Sequence, residues 1–293
     1  TRPRKIAPSY QSIWMEEGSP LRVHTDRMAS ALQENLGIPC EVGMRYGNPS
    51  IRQGLQNLRD SGVERVLLAP LFPHHAQATT ESSLKFAYRQ MDEMDWSPEI
   101  SELDHFEKDP SFIGPLVESI RPHLDEDTHL LFSYHGLPLS HIYRADKSGS
   151  HCQKVDNCCM ITTDANSSCY AHHCTMTTLA VVEELGIDDD SWSQSYQSRL
   201  GPVKWLRPSS IEKVDQLVDS GIKKLTIVSP AFLADGLETL EEIDIEMRNQ
   251  FIERGGEEME LVSCLNDRPD WIEGMSQLVI SALSSGESQD SGL

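Results

Sequence analysis

A chain of 293 residues and 32.9 kDa suits one or two domains of ordinary size. Hydrophobic residues at 38%, a mean hydropathy of -0.41 and no run near the roughly 20 apolar residues that span a bilayer exclude an integral membrane protein. Forty-six Asp and Glu against 25 Lys and Arg leave a net charge of -21, which repels phosphate backbones, argues against a nucleic-acid partner and reads mostly as a solvated surface.

The opening TRPRKIAPSYQSIW has neither an initiator Met nor an apolar signal core, so the chain reads as a fragment. Without a secretory signal the default compartment is the cytoplasm, where seven cysteines read as reduced thiols or metal ligands. Ser19 and Pro20 open a helix that closes at Gly37, and CEVGMRY (40–46) reads as a strand. Asn48-Pro49 introduces a second helix ending at Gly62, before the strand ERVLLAPLF (64–72). A strand HLLFSYHG (129–136) precedes the segment 145–173, which has no sustained period, is rich in Ser, Asn, Cys and His, and reads as an insert. Helical spacing resumes at TMTTLAVVEELGI, followed by the strand WSQSYQS (192–198), the helix PSSIEKVDQLVDSG (208–221), and strands KKLTIVSPAF (223–232) and EMELVSCL (258–265). SSGESQDSGL reads as a frayed polar tail.

Short apolar strands alternating with helices predict an α/β fold with parallel sheets. Blocks 40–73 and 192–232 share one design and predict two related α/β domains: 1–126, then 127–266 carrying the insert 145–174, with 267–293 as a terminal helix and tail. Cys40 and Cys264 fall in predicted strands and read as small buried hydrophobes.

Two constellations carry chemistry. His135 ends the strand 129–136 and is followed by Gly136 and Pro138, which displays it at the carboxyl edge where open α/β sheets keep their ligand crevice. After strand 223–232, Glu238, Glu242 and Glu246 recur every fourth residue and would line one helix face. Such a stripe is either a solvated face or a cation path. An imidazole and a carboxylate at equivalent corners of two strands could bind a divalent cation or take protons from a substrate.

SYHGLP (133–138), YQSRLGPVKWL (196–206), SPAFLADGLETLEEID (229–244), SIWMEEGSPL (12–21) and MRYGNPS (44–50) resemble, in order along the chain, signature segments of ferrochelatase, the terminal enzyme of haem synthesis. The resemblance implies two Rossmann-like domains facing across a cleft, in which Fe2+ enters protoporphyrin IX and two pyrrole protons leave. It makes His135 the active-site histidine that takes protons or binds the substrate iron, Glu238 the glutamate opposite, and Glu242 the next carboxylate of a path for metal or protons. Arg45, Tyr46, Ser198 and Trp205 match porphyrin-contacting or cleft-shaping positions, with Gln197 a weaker match. Two features depart from the family pattern. An NLGTP-like first strand and loop is not found, which implies a lost N-terminal segment, and Gly236 stands where some relatives carry a His. Family members often touch membranes peripherally, so contact at the inner membrane through an apolar lip is expected. Readings left open are a tetrapyrrole carrier without chemistry, and a chelatase for another metal or for coproporphyrin.

Within the insert, Cys152, Cys158, Cys159, Cys169 and Cys174 fall in 23 residues beside His151, His172 and His173. Soft thiolates so close together point to a metal, zinc or an iron–sulfur cluster. The wide, irregular spacing fits an iron–sulfur loop better than a zinc knuckle. The resemblance to ferrochelatases that hold a [2Fe-2S] cluster on an internal segment implies that cluster here, in a structural role. Four ligands suffice, so one cysteine is a spectator: Cys174 first, Cys169 next. The vicinal pair Cys158 and Cys159 is expected to point in different directions and to serve different irons.

Overall fold

Apolar runs bounded by Gly and Pro become parallel strands because each needs both faces covered by helices. The computed structural model describes residues 2–199 and 201–287. In chain order the elements are α1 (Arg2–Ser12), α2 (Pro20–Leu36), α3 (Ile51–Asp60), β1 (Arg65–Leu68), a π-helical turn (Gln77–Glu81) running into α4 (Ser82–Glu93), β2 (Glu99–Glu102) and α5 (Pro110–Ile120). There follow β3 (Thr128–His135), α6 (Leu139–Ala145), α7 (Tyr170–Leu185), β4 (Trp192–Gln197), α8 (Ser210–Asp219), β5 (Lys224–Val228), a π-helix (Leu237–Met247), α9 (Arg248–Glu253), β6 (Glu258–Leu261) and α10 (Pro269–Glu287). One sheet has the order β4-β3-β5-β6, the other pairs β1 with β2, and every pairing is parallel. No described helix is long and apolar enough to cross a membrane.

Helix boundaries follow their caps. Gly37 closes α2 in the left-handed region at φ 66°, as read from the sequence. The Ser50 hydroxyl accepts the Gln53 amide at the start of α3, and Ser209 with Glu212 makes a full capping box on α8. The two predicted blocks also share a bridge: Met44 pairs with Ser50 just before α3, and Tyr196 pairs with Ser209 just before α8.

Several expectations are corrected. Segment 40–46 forms no strand; among the described residues none runs beside it, and the Met44–Ser50 bridge is its ladder contact. β2, three of whose four residues EISE are polar, escaped the sequence pattern. Cys40 is half-buried outside any strand, whereas Cys264 is buried, three residues past the end of β6. α7 begins at Tyr170 with Cys169 as its N-cap, so His172, His173 and Cys174 are helical and the irregular stretch is shorter than expected. The stripe Glu238, Glu242, Glu246 lies on a π-helix rather than an α-helix. The wider π turn still returns every fourth residue near the same face. Of the predicted tail, Ser284–Glu287 continue α10, and residues 288–293 lie outside the described residues.

α10 returns to the first half of the chain and packs on α5 and α2. Trp271 is fully buried there, stacked near Phe106 and edge-on to Phe112. One hydrophobic cluster consequently runs from α2 and α5 through β3 and α7 to α10. A second joins β3, β5 and β6 to α8, α9 and the π-helix. The α10–α5 approach depends on Gly274, where an added Cβ would lie 2.0 Å from the Ser111 carbonyl oxygen. Gly274→Ala is therefore expected to destabilise by about 1–3 kcal/mol through overpacking, read as a fall in Tm; an unchanged Tm would mean that the two helices part freely.

Candidate active site

Parallel pairing brings the carboxyl ends of β3, β4 and β5 to one edge. His135 is in register with Gln197, and Phe132 with Val228. The half-buried His135 ring stands edge-on to Phe232, centroids 6.2 Å apart. Its Nδ1 lies 2.7 Å from the Gly136 carbonyl oxygen. A carbonyl can only accept, so Nδ1 carries the proton and the Nε2 lone pair of the neutral ring remains available. The corner needs glycine next: a Cβ on Gly136 would lie 2.8 Å from the Gln197 carbonyl oxygen and 3.4 Å from the Trp205 ring. Trp205 reaches this corner through its bridge to Pro138.

Gln197 is the link between strands and π-helix. Its side chain accepts from the Ser133 hydroxyl at 2.8 Å and donates to the Glu238 carbonyl oxygen at 2.7 Å. The turn before Glu238 is held from the other side by buried Asp235, which accepts from Thr239, Asn266 and the Cys264 amide. Leu21, from the segment 12–21, comes within 3.9 Å of where a Gly236 Cβ would be, which sets that segment beside the Glu238 turn. The Ser198 hydroxyl donates to Glu242 at 2.5 Å. Burial pushes the Glu242 carboxyl above its ordinary value; the Ser198 bond opposes the push, and Glu238, Glu241 and Glu246 add to it. Glu246, at the exposed end of the stripe, is also raised, by partial burial and Glu241.

Arg45 and Tyr46 form a separate wall. The Arg45 guanidinium sits 4.7 Å from the Tyr46 ring centroid and 4.4 Å from that of Phe86, and donates to Ser82. Tyr46 is 81% exposed, so its face is open to a partner. Arg45 lines a cleft of about 440 Å3 with Gln77, Glu81, Ser82, Lys85, Phe86 and Arg89. Three cations in one cleft of so acidic a chain were not legible in the sequence, because Lys85 and Arg89 are ordinary helix-surface residues until α4 faces Arg45.

The cysteine-rich segment is built on two polar hubs. Asp146 accepts from the amides of Ser148, Gly149, His151 and Cys152 and from the Ser148 hydroxyl. Burial works against its charge, but these donors hold the carboxyl well below the usual range. Asn166, fully buried, donates to the Cys158 and Ile161 carbonyls and accepts the Thr163 amide. Around them the thiols fall into pairs. Cys158 and Cys159 Sγ lie 3.8 Å apart, against the expectation that vicinal cysteines diverge. The Cys169 thiol is near enough to Cys152 to help raise it, which sets Cys169 beside the group it was expected to leave. Burial first, then the neighbouring thiols, push Cys152 and Cys159 far above the ordinary thiol value. Cys174 is fully buried on α7, and burial pushes its thiol well above the ordinary value.

Among the sequence-chosen residues, His135, Ser198, Trp205, Glu238 and Glu242 share the β3–β4–π-helix edge, and Arg45 with Tyr46 stand across from α4. The ferrochelatase family model matches residues 1–283. The ferrochelatase of Pseudomonas syringae pv. tomato is 42% identical over 279 residues, 94% of this chain and 82% of that protein. The chain belongs to the ferrochelatase family. The ferrochelatase of Ectopseudomonas mendocina is likewise 42% identical, over 94% of this chain and 82% of its own. In fold the chain is similar to SirB from Bacillus subtilis, with a TM-score of 0.57 at 13% identity over 93% of this chain and 94% of the other. A mixed α/β fold with parallel sheets, of chelatase type, is thereby established.

Removing the Ser198 hydroxyl takes away a bond made to the ionised carboxylate. Ser198→Ala should therefore raise the Glu242 pKa further, followed by a carboxyl-selective NMR or infrared titration; an unmoved titration would mean that the 2.5 Å contact carries no charge stabilisation.

Proposed function

We propose that the chain inserts Fe2+ into protoporphyrin IX, forming two new pairs of iron–nitrogen bonds and releasing two pyrrole protons, with no change in iron oxidation state. The observation that carries this reading is the link from His135 through Gln197 to Glu238 at one sheet edge. His135 Nε2, with Nδ1 fixed as the donor to Gly136, serves as the base or as a ligand to the entering substrate iron. Glu238 faces the same reaction from the π-helix, and Glu242, whose raised pKa suits a carboxylate that takes and returns protons, continues the path toward solvent at Glu246.

The macrocycle lies between the His135 edge and the Arg45–Tyr46 wall, with Trp205 and Ser198 shaping its slot. Arg45, Lys85 and Arg89 suit the propionate carboxylates of such a substrate. Exposed Tyr10, Trp14 and Leu21 near the Glu238 turn support an apolar lip for peripheral contact with a membrane, from the cytoplasmic side, where an apolar substrate would be collected. A carrier, or a chelatase for another metal or for coproporphyrin, is not favoured, since the relatives are named ferrochelatases. The division into domains 1–126 and 127–266 belongs to the same reading, with α10 tying the second back to the first.

His135→Ala should abolish metal insertion while porphyrin binding, followed by fluorescence quenching, persists. Glu238→Gln should slow insertion on the order of 100-fold or more. Retained turnover in either variant would remove that residue from the mechanism.

The thiol pairs also support a [2Fe-2S] cluster over zinc. One tetrahedral zinc ion would gather its sulfurs within about 3.8 Å of one another, yet no three cysteine sulfurs among the described residues lie within 4.8 Å of each other. The contact of Cys158 with Cys159, and Cys152 with Cys169 as an electrostatic neighbour, would suit two irons with two thiolates each. Cys174 is then the spectator. When bound, the cluster supplies folding energy to segment 145–169, since the reaction transfers no electron. Cys152→Ser and Cys158→Ser should remove the visible chromophore and acid-labile sulfide of anaerobically purified protein, while Cys174→Ser keeps both; the opposite pattern would reassign the ligands.

A further inference from the structure

Two histidines and a glutamate that neither the chelatase reading nor the cysteines employ meet where the two halves of the chain touch, with a third histidine in electrostatic range. His74 follows β1, His105 and Glu107 follow β2, and His173 lies in the first turn of α7. His105 Nδ1 and Glu107 Oε2 are 2.7 Å apart, and the His105 and His173 rings lie face to face with centroids 4.2 Å apart, tilted by 32°. One donor atom from each of His105, Glu107 and His173 lies within 4.8 Å of the other two. Glu107 is 4% exposed and His173 1%, so this carboxylate is withdrawn from water and its charge is met, among the described residues, only by imidazoles, His105 being paired to it.

The surroundings fix the tautomers. His173 Nε2 lies 3.0 Å from the Ser167 carbonyl, so it carries the proton and Nδ1 is the lone-pair atom, which now meets the His75 amide at a long 3.2 Å. A backbone carbonyl holding one ring nitrogen so that the other can ligate is the usual support of a metal-binding histidine. The Thr177 hydroxyl donates to the Glu107 carbonyl and therefore accepts from His74 Nε2 at 2.9 Å. That leaves His74 Nδ1 as a lone pair, fully buried and without a partner. His74 is within electrostatic range of His105, Glu107 and His173.

We propose that His105, Glu107 and His173 form a binding site for a divalent first-row transition cation, with His74, whose buried Nδ1 has no partner, in electrostatic range of all three. Two or three imidazoles and one carboxylate suit Zn2+, Fe2+ or Co2+, being too nitrogen-rich for Ca2+ or Mg2+ and too hard for Cu+. The site is separate from the cysteine pairs in donor type and from His135 and Glu238 in place. It joins the loops after β1 and β2 to the turn where the cysteine-rich segment re-enters the fold, so its cation would staple that segment to the first half of the chain.

Chelator-stripped full-length protein loaded anaerobically with Co2+ tests the site, with metal counted by mass spectrometry and folding checked by circular dichroism. His173→Gln, whose amide can still donate to Ser167, should lose one cobalt per chain relative to wild type, and the difference spectrum should show ligand-field bands without thiolate-to-cobalt charge transfer. Glu107→Gln, which keeps the shape and removes the charge, should weaken the same cobalt at least tenfold, and it carries the test if His173→Gln does not fold. Full cobalt occupancy in a folded variant, or a lost cobalt with a thiolate band, would overturn the proposal and leave His105 and Glu107 as a buried ion pair. Because the readout is metal content, chelatase activity can stand or fall independently of it.

Discussion

Everything at the candidate site depends on the burial of β3. Leu130, Leu131, Phe132, Ser133 and Tyr134 are all fully shielded, because β4 and β5 pair with the strand on both edges and helices cover both faces. A one-residue slip of such a strand would exchange the side chains packed against its two covered faces and misfit both. Its last residue, His135, is therefore fixed in depth and direction. Parallel pairing then brings Gln197 level with it, and Gln197 fastens the π-helix by the Glu238 carbonyl. Gly136 is the condition for closing this corner, since any side chain there would collide with the neighbouring strand's backbone.

A different logic holds the cysteine-rich segment. It has little apolar surface of its own, and its backbone polar groups are satisfied by buried side chains rather than by a ladder: Asp146 gathers amides at one end and Asn166 bonds to carbonyls in the middle. Burial keeps the thiols of this loop protonated, and as neutral thiols they pack as small apolar groups. Next door the opposite holds: Glu107 is buried yet kept ionised by the His105 imidazole. Two clusters of different chemistry, thiols on one side and imidazoles with a carboxylate on the other, flank the first turns of α7.

The charge of the chain is also distributed with a purpose. Most of the -21 is surface, yet the carboxylates that matter lie in line on the π-helix, and three cations collect around one cleft at α4. In the stripe, a like-charged neighbour every fourth residue adds to burial in raising Glu242, so mutual repulsion becomes a means of tuning proton affinity.

The sequence by itself determined the strands that are continuous apolar runs, the helices with Ser caps and Gly stops, the corner positions of His135 and Glu238, and the clustering of cysteines, because these are local patterns set by burial and backbone chemistry. It misread segment 40–46, whose β-branched and aromatic character promised a strand, because a strand exists only when another lies beside it. It passed over β2 because four residues of mixed polarity carry too little period. Only the tertiary structure decided that Cys158 and Cys159 converge, that α10 returns to the first half, and that His105, Glu107 and His173 meet with His74 in electrostatic range. Those residues are brought together across gaps of up to about a hundred positions by packing of loops and helices. No spacing along the chain encodes that contact, since it depends on three-dimensional complementarity rather than on any repeat.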